Sequence, residues 1–406
     1  MKTILLVTYE TSPYRGSEAS VSWNYITHMS PRHHLIVIYG RGKDDVEDYL
    51  KRNEINNVEF KNAPPQKLGD SGGLLFDIKY NLFYRQWHKS VFVMVQEIIK
   101  QRHIDVVHYL NPIGFKEPGY LWKLNVPYVW GPIQGVANRP FALYPALSLR
   151  GKVNALVRFV VHNSLLRFSP RVRRAMKKAD FIFTAVPKAK GQLQKIHGRA
   201  TIYLPENGII EMHAKEPVRC DGNELRLIWI GCVDERKAII ILLDALRLVP
   251  HKKWHLNVVG KGPLEEKMKQ TAKEYGIDDH INWGGRVPRA EVFGMLKSAH
   301  LHVISSLGEG NPTTLWEAMS LGVPTMTLDH CGMSAVVCEK CGIKISIKSY
   351  SQVVKDMAAN ITNLIEHPDK VELLSRGVLG CSKKFMWDER IKVFDHVYDD
   401  VIAKYQ

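Results

Sequence analysis

Two hydrophobic periods alternate along this chain. Residues 2–9 and 35–39 are short apolar runs rich in β-branched side chains, and both read as strands. Between them, 17–29 repeats its apolar positions at helical spacing, with Ser17 placed to cap it. This strand–helix–strand opening predicts parallel strands. Residues 74–102 are helical in pattern, 105–109 and 126–130 are further strands, and a strand at 181–185, a helix at 188–197 and a strand at 201–204 follow. The second half is more regular. Strands are predicted at 225–230, 254–259, 280–283, 301–304 and 323–327, with helices near 238–248, 264–275, 289–298 and 312–321, and two more at 351–365 and 387–405. Such alternation predicts an α/β chain of two doubly wound, Rossmann-like parallel sheets. Turn chemistry at Pro205-Glu206-Asn207-Gly208 marks the boundary, giving domains at 1–204 and 205–384 and a final helical segment at 385–406.

The most informative stretch is Ser305–Met319, which follows a strand and opens a helix. Asn311 is a favoured N-cap and Pro312 suits the first helical position. The amides of Thr313, Thr314 and Leu315 then leave the helix start without partners, which makes a ready phosphate site. Glu309 precedes the cap and Glu317 lies six residues beyond Asn311, about 9 Å along the axis. A ligand whose diphosphate sits at the helix start could meet one carboxylate with each end. A second anion-friendly element is Gly231-Cys232-Val233-Asp234-Glu235-Arg236-Lys237, where a strand runs through a glycine into an Arg-Lys pair. In the first half, Gly16 follows the first strand in a turn that permits close backbone approach, although no G-x-G-x-x-G is present. His108 and Asn111 fall at the carboxyl end of a strand, where open α/β sheets place ligands, and are candidates for the acceptor side.

Charge sharpens the picture. The 406 residues carry a net charge of +15. Through Pro205 there are 30 Lys and Arg against 14 Asp and Glu; from Glu206 onward there are 26 against 27. Within 139–199 stand 14 basic residues and one acid, Asp180. In 152–167, Val153, Leu156, Val157, Val160 and Val161 follow the i, i+3, i+4, i+7, i+8 spacing of one apolar face. Lys152, Arg158, Arg167, Arg171, Arg173, Arg174, Lys177 and Lys178 flank that stripe. Basic residues beside an apolar stripe predict docking on an anionic membrane surface. No recognised nucleic-acid module accompanies the charge, so no nucleic-acid partner is predicted. No apolar run reaches the roughly 18 residues of a membrane span, and 4–7 is too short for a signal-peptide core. A cytoplasmic protein on the inner face of the cell membrane is predicted. Cys338-Glu339-Lys340-Cys341 has metal half-site spacing, but only Cys331 lies near it in sequence and structural zinc takes four ligands, so no metal is predicted.

Taken together, these motifs resemble the retaining GT-B glycosyltransferases, close to glycosyltransferase family 4 (glycosyl transferases group 1), over nearly the whole chain. Glu309–Glu317 matches the family's E-x7-E, followed by Ala318-Met319-Ser320-Leu321-Gly322-Val323-Pro324, and Gly231–Lys237 matches G-R-L-x-x-x-K-G. Val258-Val259-Gly260-Lys261-Gly262-Pro263, Trp283-Gly284-Gly285-Arg286-Val287 and the 205–209 junction resemble further family motifs.

The resemblance implies two domains facing each other across a cleft, an acceptor-binding first domain, a donor-binding second domain and a last helix packed back on the first. It implies a hexosyltransferase that moves sugar from a UDP- or GDP-sugar co-substrate to a lipid-linked saccharide, with retention, without metal or other cofactor, in polysaccharide or glycoconjugate assembly. Lys237 would bind the donor diphosphate, Glu309 the transferred sugar and Glu317 the ribose. Gly16, Gly231, Arg286, Gly310, Asn311, Thr313, Thr314 and Leu315 would line the donor. Cys232 replaces the family's arginine and Ala238 its glycine, so Arg236 is expected to supply the missing guanidinium. The alternatives are a nucleotide-sugar epimerase of the same fold and a catalytically inactive sugar-nucleotide scaffold.

Overall fold

The computed structural model describes residues 1–65, 74–136 and 138–406, and the side chains of all of these except 74–80. Two compact units emerge. The first comprises Met1–Ala137, Val160–Asn207 and Trp387–Gln406; the second comprises Asn138–Phe159 and Gly208–Met386.

In the first unit, strands β1 (Thr3–Glu10), β2 (His34–Arg41), β3 (Val58–Asn62), β4 (Val106–Tyr109), β5 (Tyr128–Ile133), β6 (Phe181–Thr184) and β7 (Ile202–Tyr203) form one sheet. Its order is β3-β2-β1-β4-β5-β6-β7, and every pairing is parallel. The chain between strands supplies helices α1 (Glu18–Met29), α2 (Lys43–Leu50), α3 (Leu74–Gln101), the second part of α4 (Leu149–Phe168, of which 149–159 lie in the second unit), α5 (Pro170–Lys178) and α6 (Pro187–His197). Strand β3 escapes the sequence pattern because all five of its residues are half-buried at a sheet edge, so neither face reads as apolar. The central strands are covered on one face by α1 and by the last helix, α14 (Trp387–Ile402). Trp387, Ile391, Phe394, Tyr398 and Val401 recur at helical spacing and are buried with Ile4, Leu6, Tyr25 and Val129. At about 1.5–3 kcal/mol per buried large apolar side chain, that stripe binds the terminal helix into this core.

The second unit's sheet is β10-β9-β8-β11-β12-β13, again all parallel. Its strands are β8 (Leu225–Ile230), β9 (Trp254–Val259), β10 (Ile281–Gly285), β11 (Leu301–Ile304), β12 (Thr325–Leu328) and β13 (Gly342–Ile345). Its helices are α7 (Ile240–Leu246), α8 (Glu265–Glu274), α9 (Arg289–Ser298), α10 (Thr313–Ser320), α11 (Met333–Val336), α12 (Tyr350–Glu366) and α13 (Asp369–Ser382). Both sheets are the doubly wound parallel sheets that the alternation predicts.

The predicted domain boundaries shift slightly, with 205–207 in the first unit and 385–386 in the second, and need one larger correction. Residues 138–159 belong to the second unit, because Leu143, Leu147 and Ala155 are buried in its core with Leu242, Val353 and Met357. An apolar anchor of three side chains outweighs sequence proximity to the first sheet.

Candidate functional site

The second sheet's central strands end at two turns that lock together. Gly260 has φ +127°, and a Cβ there would lie 1.9 Å from the Gly231 carbonyl oxygen. A Cβ on Gly262 would come 2.3 Å from the Val233 oxygen. Only glycine tolerates such approach, which is the physical content of the V-G-K-G-P stretch. The Val233 amide donates to Lys261 O (3.2 Å) and the Leu264 amide to Val233 O (3.0 Å).

From that base the chain turns. Asp234 Oδ1 accepts from the Lys237 amide at 2.8 Å. Ala238 is buried and has φ +46°, at the position where the family carries glycine. An alanine in this left-handed region costs about 1 kcal/mol. Helix α7 starts only at Ile240, so Arg236 and Lys237 sit in the turn and not on a helix start as the pattern suggested. What fixes them is the neighbouring loop after β11. The Leu307 amide donates to Arg236 O (2.8 Å), and Ser305 Oγ donates to Lys237 O (2.9 Å) while accepting from Trp229 Nε1 (2.9 Å).

This zipper aims both side chains at Glu309. Lys237 Nζ lies 2.7 Å from Glu309 Oε1 and 2.9 Å from Oε2, and the Arg236 guanidinium donates to Oε1. Lys237 packs its stem over Gly231, where a Cβ would come 3.0 Å from Lys237 Cε. The three residues assigned the chemistry, Glu309, Lys237 and Arg236, are thus brought together. Cys232 is exposed; burial, then Asp234, raise its thiol above the ordinary range, so it offers neither charge nor a reactive thiolate. His302 in β11 is pushed down to about 3 by burial and then by Lys237, and is neutral.

A fourth charged group joins the site unannounced by the sequence. Arg139, from the segment that crosses into this unit, lies over the Glu309 loop: a Cβ on Gly308 would come 3.3 Å from Arg139 Cγ and 3.4 Å from its Nε. Burial, then the charges of Arg158 and Arg236, press its pKa below the ordinary value. Its guanidinium makes no hydrogen bond or ion pair among the described residues. Only its place in a basic run hinted at it. Arg236 and Lys237 pair with Glu309, and Arg139 lies over Gly308 in the field of Arg236 and Asp234, leaving a local excess of positive charge.

The helix start differs in detail from expectation. Pro312, not Asn311, occupies the N-cap position of α10, with no side-chain cap. Asn311 is instead buried against Gly332, whose Cβ would come 2.4 Å from its Oδ1. The Leu315 amide donates to Pro312 O at 3.0 Å and is unavailable to a ligand. The Thr313 and Thr314 amides have no partner among the described residues. Gly310 accepts from the Gly332 amide (3.1 Å), and Ser306 O lies 2.8 Å from His330 Nε2, so the loop is held from behind. Glu317, one helical face further on, takes both Nε (3.1 Å) and Nη2 (2.9 Å) of Arg289 on one oxygen. Arg286 is exposed on the loop after β10, where a ligand can reach it.

In the first unit, Gly16 is exposed and a Cβ there would meet nothing within 4 Å. Ser17 precedes α1 without a capping hydrogen bond. His108 and Asn111 are corrections. His108 is fully buried, with Nδ1 2.6 Å from Tyr398 Oη and Nε2 2.7 Å from Gly131 O, and burial pushes it down to about 4. Asn111 is fully buried and ties the end of β1, its Oδ1 accepting the Tyr9 amide at 2.6 Å. Both side chains hold the fold and offer no surface to a ligand. Arg171 also drops out of the exposed basic set. It donates to the buried carboxylate of Glu117 and stacks 4.4 Å over the Tyr120 ring. Lys152, Arg158, Arg167, Arg173, Arg174, Lys177 and Lys178 are exposed. Among the described residues no helix is long and apolar enough to cross a membrane.

Comparison with known proteins agrees with this geometry. Residues 213–376 match the family described as glycosyl transferases group 1. A putative colanic acid biosynthesis glycosyltransferase, WcaL of Escherichia coli K12, is 24% identical over 202 residues, covering 47% of this chain and 50% of that protein. The chain thus spans about half the length of this curated relative. Two solved structures share the fold along almost the whole chain. The lipopolysaccharide outer core galactosyltransferase WaaB in its apo form has a TM-score of 0.68 at 17% identity, with 100% of both chains covered. Anabaena HepE in complex with UDP and glucose has a TM-score of 0.61 at 15% identity, covering 98% of this chain and 100% of that one.

Proposed function

We propose, from the premise that residues 213–376 form a glycosyl transferases group 1 domain, that this protein is a retaining, metal-independent hexosyltransferase of family 4 type. Its donor is a UDP- or GDP-sugar and its acceptor a lipid-linked saccharide in polysaccharide or lipopolysaccharide assembly. The observation that carries this reading is the convergence of Lys237 and Arg236 on Glu309, with Arg139 lying over the adjacent Gly308, beside the two free amides of α10. Cleaving a sugar nucleotide develops negative charge on the departing diphosphate. Fixed cations and amides aimed at that charge stabilise the transition state by about 3–4 kcal/mol for each donor that matters. Three side-chain cations can supply the charge that a divalent ion supplies elsewhere.

Retention fits the same cluster. Glu309 is saturated by a lysine and an arginine, which makes it a poor nucleophile and a good positioner of sugar hydroxyls. Attack from the face that the diphosphate leaves then needs no enzyme nucleophile, and a diphosphate oxygen takes the acceptor's proton. The WcaL name places that relative in colanic acid synthesis, WaaB is a galactosyltransferase, and HepE holds UDP with glucose. These support a sugar-nucleotide donor here.

The protein works as a peripheral protein on the cytoplasmic face of the membrane. Leu149, Val153, Leu156 and Val160 repeat along one stripe of α4 and are between 52% and 80% exposed. Arg173, Arg174, Lys177 and Lys178 on α5 add exposed charge, each contributing about 1 kcal/mol near an anionic surface.

The test is transfer from UDP- and GDP-sugars to polyprenyl-diphosphate saccharides in anionic vesicles. Transfer should retain the anomer, gain nothing from added Mg2+ or Mn2+, and fall about 10²–10³-fold in Lys237→Ala. Epimerised donor formed without acceptor would make the protein an epimerase. Replacing Val153, Leu156 and Val160 by Ser should abolish vesicle sedimentation without lowering donor affinity.

A further inference from the structure

Cys338 and Cys341 sit on the turn before β13 with two residues between them, and the sequence offers Cys331 as their only near neighbour. The fold supplies a different third thiol. Cys381, near the end of α13, comes within 3.5 Å of Cys338 Sγ, while Cys338 and Cys341 are 3.4 Å apart. All three sulfurs lie within 4.8 Å of one another, and all are free thiols. We propose that Cys338, Cys341 and Cys381 form a binding site for a thiophilic d10 cation, with Zn2+ as its probe, completed by one exogenous ligand.

Three features argue for a built site and against chance crowding of small apolar residues. First, the backbone of the turn holds the pair. The Cys338 amide donates to Cys341 Sγ at 3.3 Å, and the Cys341 amide donates to Cys338 O at 3.0 Å. An amide aimed at sulfur orients it before a metal arrives. Second, the spacing fits. Thiolates about 2.3 Å from a tetrahedral zinc stand about 3.8 Å from each other, close to the sulfur separations here. Third, the approach of α13 is engineered by a glycine. A Cβ on Gly377 would lie 1.7 Å from the Lys340 carbonyl oxygen and 3.2 Å from the Cys341 amide nitrogen. One helical turn later the same helix delivers Cys381. Cys341 is buried and the other two thiols are half-buried, so a cation has a way in and one open coordination position. No fourth His, Cys, Asp or Glu joins the group among the described residues. Soft thiolates select Zn2+ or Cu+ over Mg2+ or Mn2+. Binding releases the thiol protons to solvent and pins the end of α13 to the turn before β13. None of the three thiols contacts Glu309, Lys237 or Arg236, so the site is independent of the proposed transfer chemistry.

The full chain, purified under reducing conditions and stripped by chelator, is titrated with Co2+ and then Zn2+. The expected result is one Co2+ per chain with sulfur-to-cobalt charge-transfer absorption and tetrahedral d–d bands, displaced by one Zn2+. Melting temperature rises with Zn2+. Cys381→Ser and, separately, Cys338→Ser weaken uptake by at least about tenfold, whereas Cys220→Ser leaves it unchanged. Circular dichroism of the metal-free variants reports whether they fold. Absence of charge-transfer bands in folded wild type, or equal uptake by Cys381→Ser, overturns the proposal. A Cys338–Cys341 disulfide formed in air, together with no uptake by the reduced protein, also overturns it and makes the trio a redox pair.

Discussion

Arg139 makes a prediction in which stability and affinity move in opposite directions. Its guanidinium is half-buried, has no partner among the described residues, and is repelled by Arg158 and Arg236. Arg139→Met keeps an apolar stem over Gly308 while removing the charge. No hydrogen bond of the guanidinium is lost in the ligand-free protein, and the repulsion from Arg158 and Arg236, which outweighs the attraction of Tyr144 and Asp234, is relieved. Unfolding free energy should therefore stay level or rise, by up to about 1 kcal/mol. Donor binding should suffer instead. One charge-assisted hydrogen bond to a phosphate is worth about 1.5–3 kcal/mol, so the dissociation constant for UDP or GDP should rise about 10- to 150-fold. Calorimetric titration with the nucleotide, and with pyrophosphate alone, reads the affinity; denaturant melts without ligand read the stability. A variant that is destabilised by more than about 1 kcal/mol and binds nucleotide as wild type does would show Arg139 to be a structural residue.

Other expectations concern the rest of the chain. Glu18, half-buried at the start of α1, is pushed up to about 7 by burial and then by the Glu10 and Glu206 carboxylates. A raised carboxyl pKa means stability that is present below the unfolded value near 4.5 and lost as pH rises through 7. Glu18→Gln should therefore match wild type near pH 4 and exceed it by about 3 kcal/mol above pH 8, measured by melts across pH; a constant difference would refute the assignment. Gly377→Ala forces a methyl against the Lys340 carbonyl and should cost about 2–3 kcal/mol in a denaturant melt, unlike Gly380→Ala, whose Cβ meets nothing within 4 Å. Glu117 is buried between Arg85 (3.1 Å) and Arg171, so Glu117→Ala should cost about 3–5 kcal/mol by the same measurement.

The regular part of the fold was open to reading because hydrophobic period encodes it. Both parallel sheets, the helix after β11 and the terminal helix carry their spacing in sequence. What escaped was set by tertiary contact. Val58–Asn62 lies at an edge where burial is even on both faces. Leu143, Leu147 and Ala155 carry their segment into the second core, and no local signal reveals that choice. The Glu309, Lys237 and Arg236 cluster was legible because strand ends and helix starts constrain where side chains meet. Arg139 was not, since the site residues it approaches, Arg236 and Gly308, lie about a hundred residues away or more. His108 and Asn111 show the converse error: a strand's carboxyl end puts a residue near the ligand edge, but the side chain's direction decides, and here both point into the protein. Cys381 joined its pair only because a glycine let α13 come close.

The pairing of Glu309 with Lys237 and Arg236 means that the resting site already contains an anion of its own. An incoming ligand does not fill an empty positive hole; it competes with a tethered carboxylate held at high local concentration. A ligand bearing one negative charge gains little, because it offers the cations no more than Glu309 does. Under the proposed function, the diphosphate of a sugar nucleotide would share the cations with Glu309 and free it to receive a sugar hydroxyl. The internal anion thus acts as a threshold. It favours a ligand that can engage both cations at once, and under the proposed function it would hand its own hydrogen-bonding capacity to the sugar only when the diphosphate has taken its place.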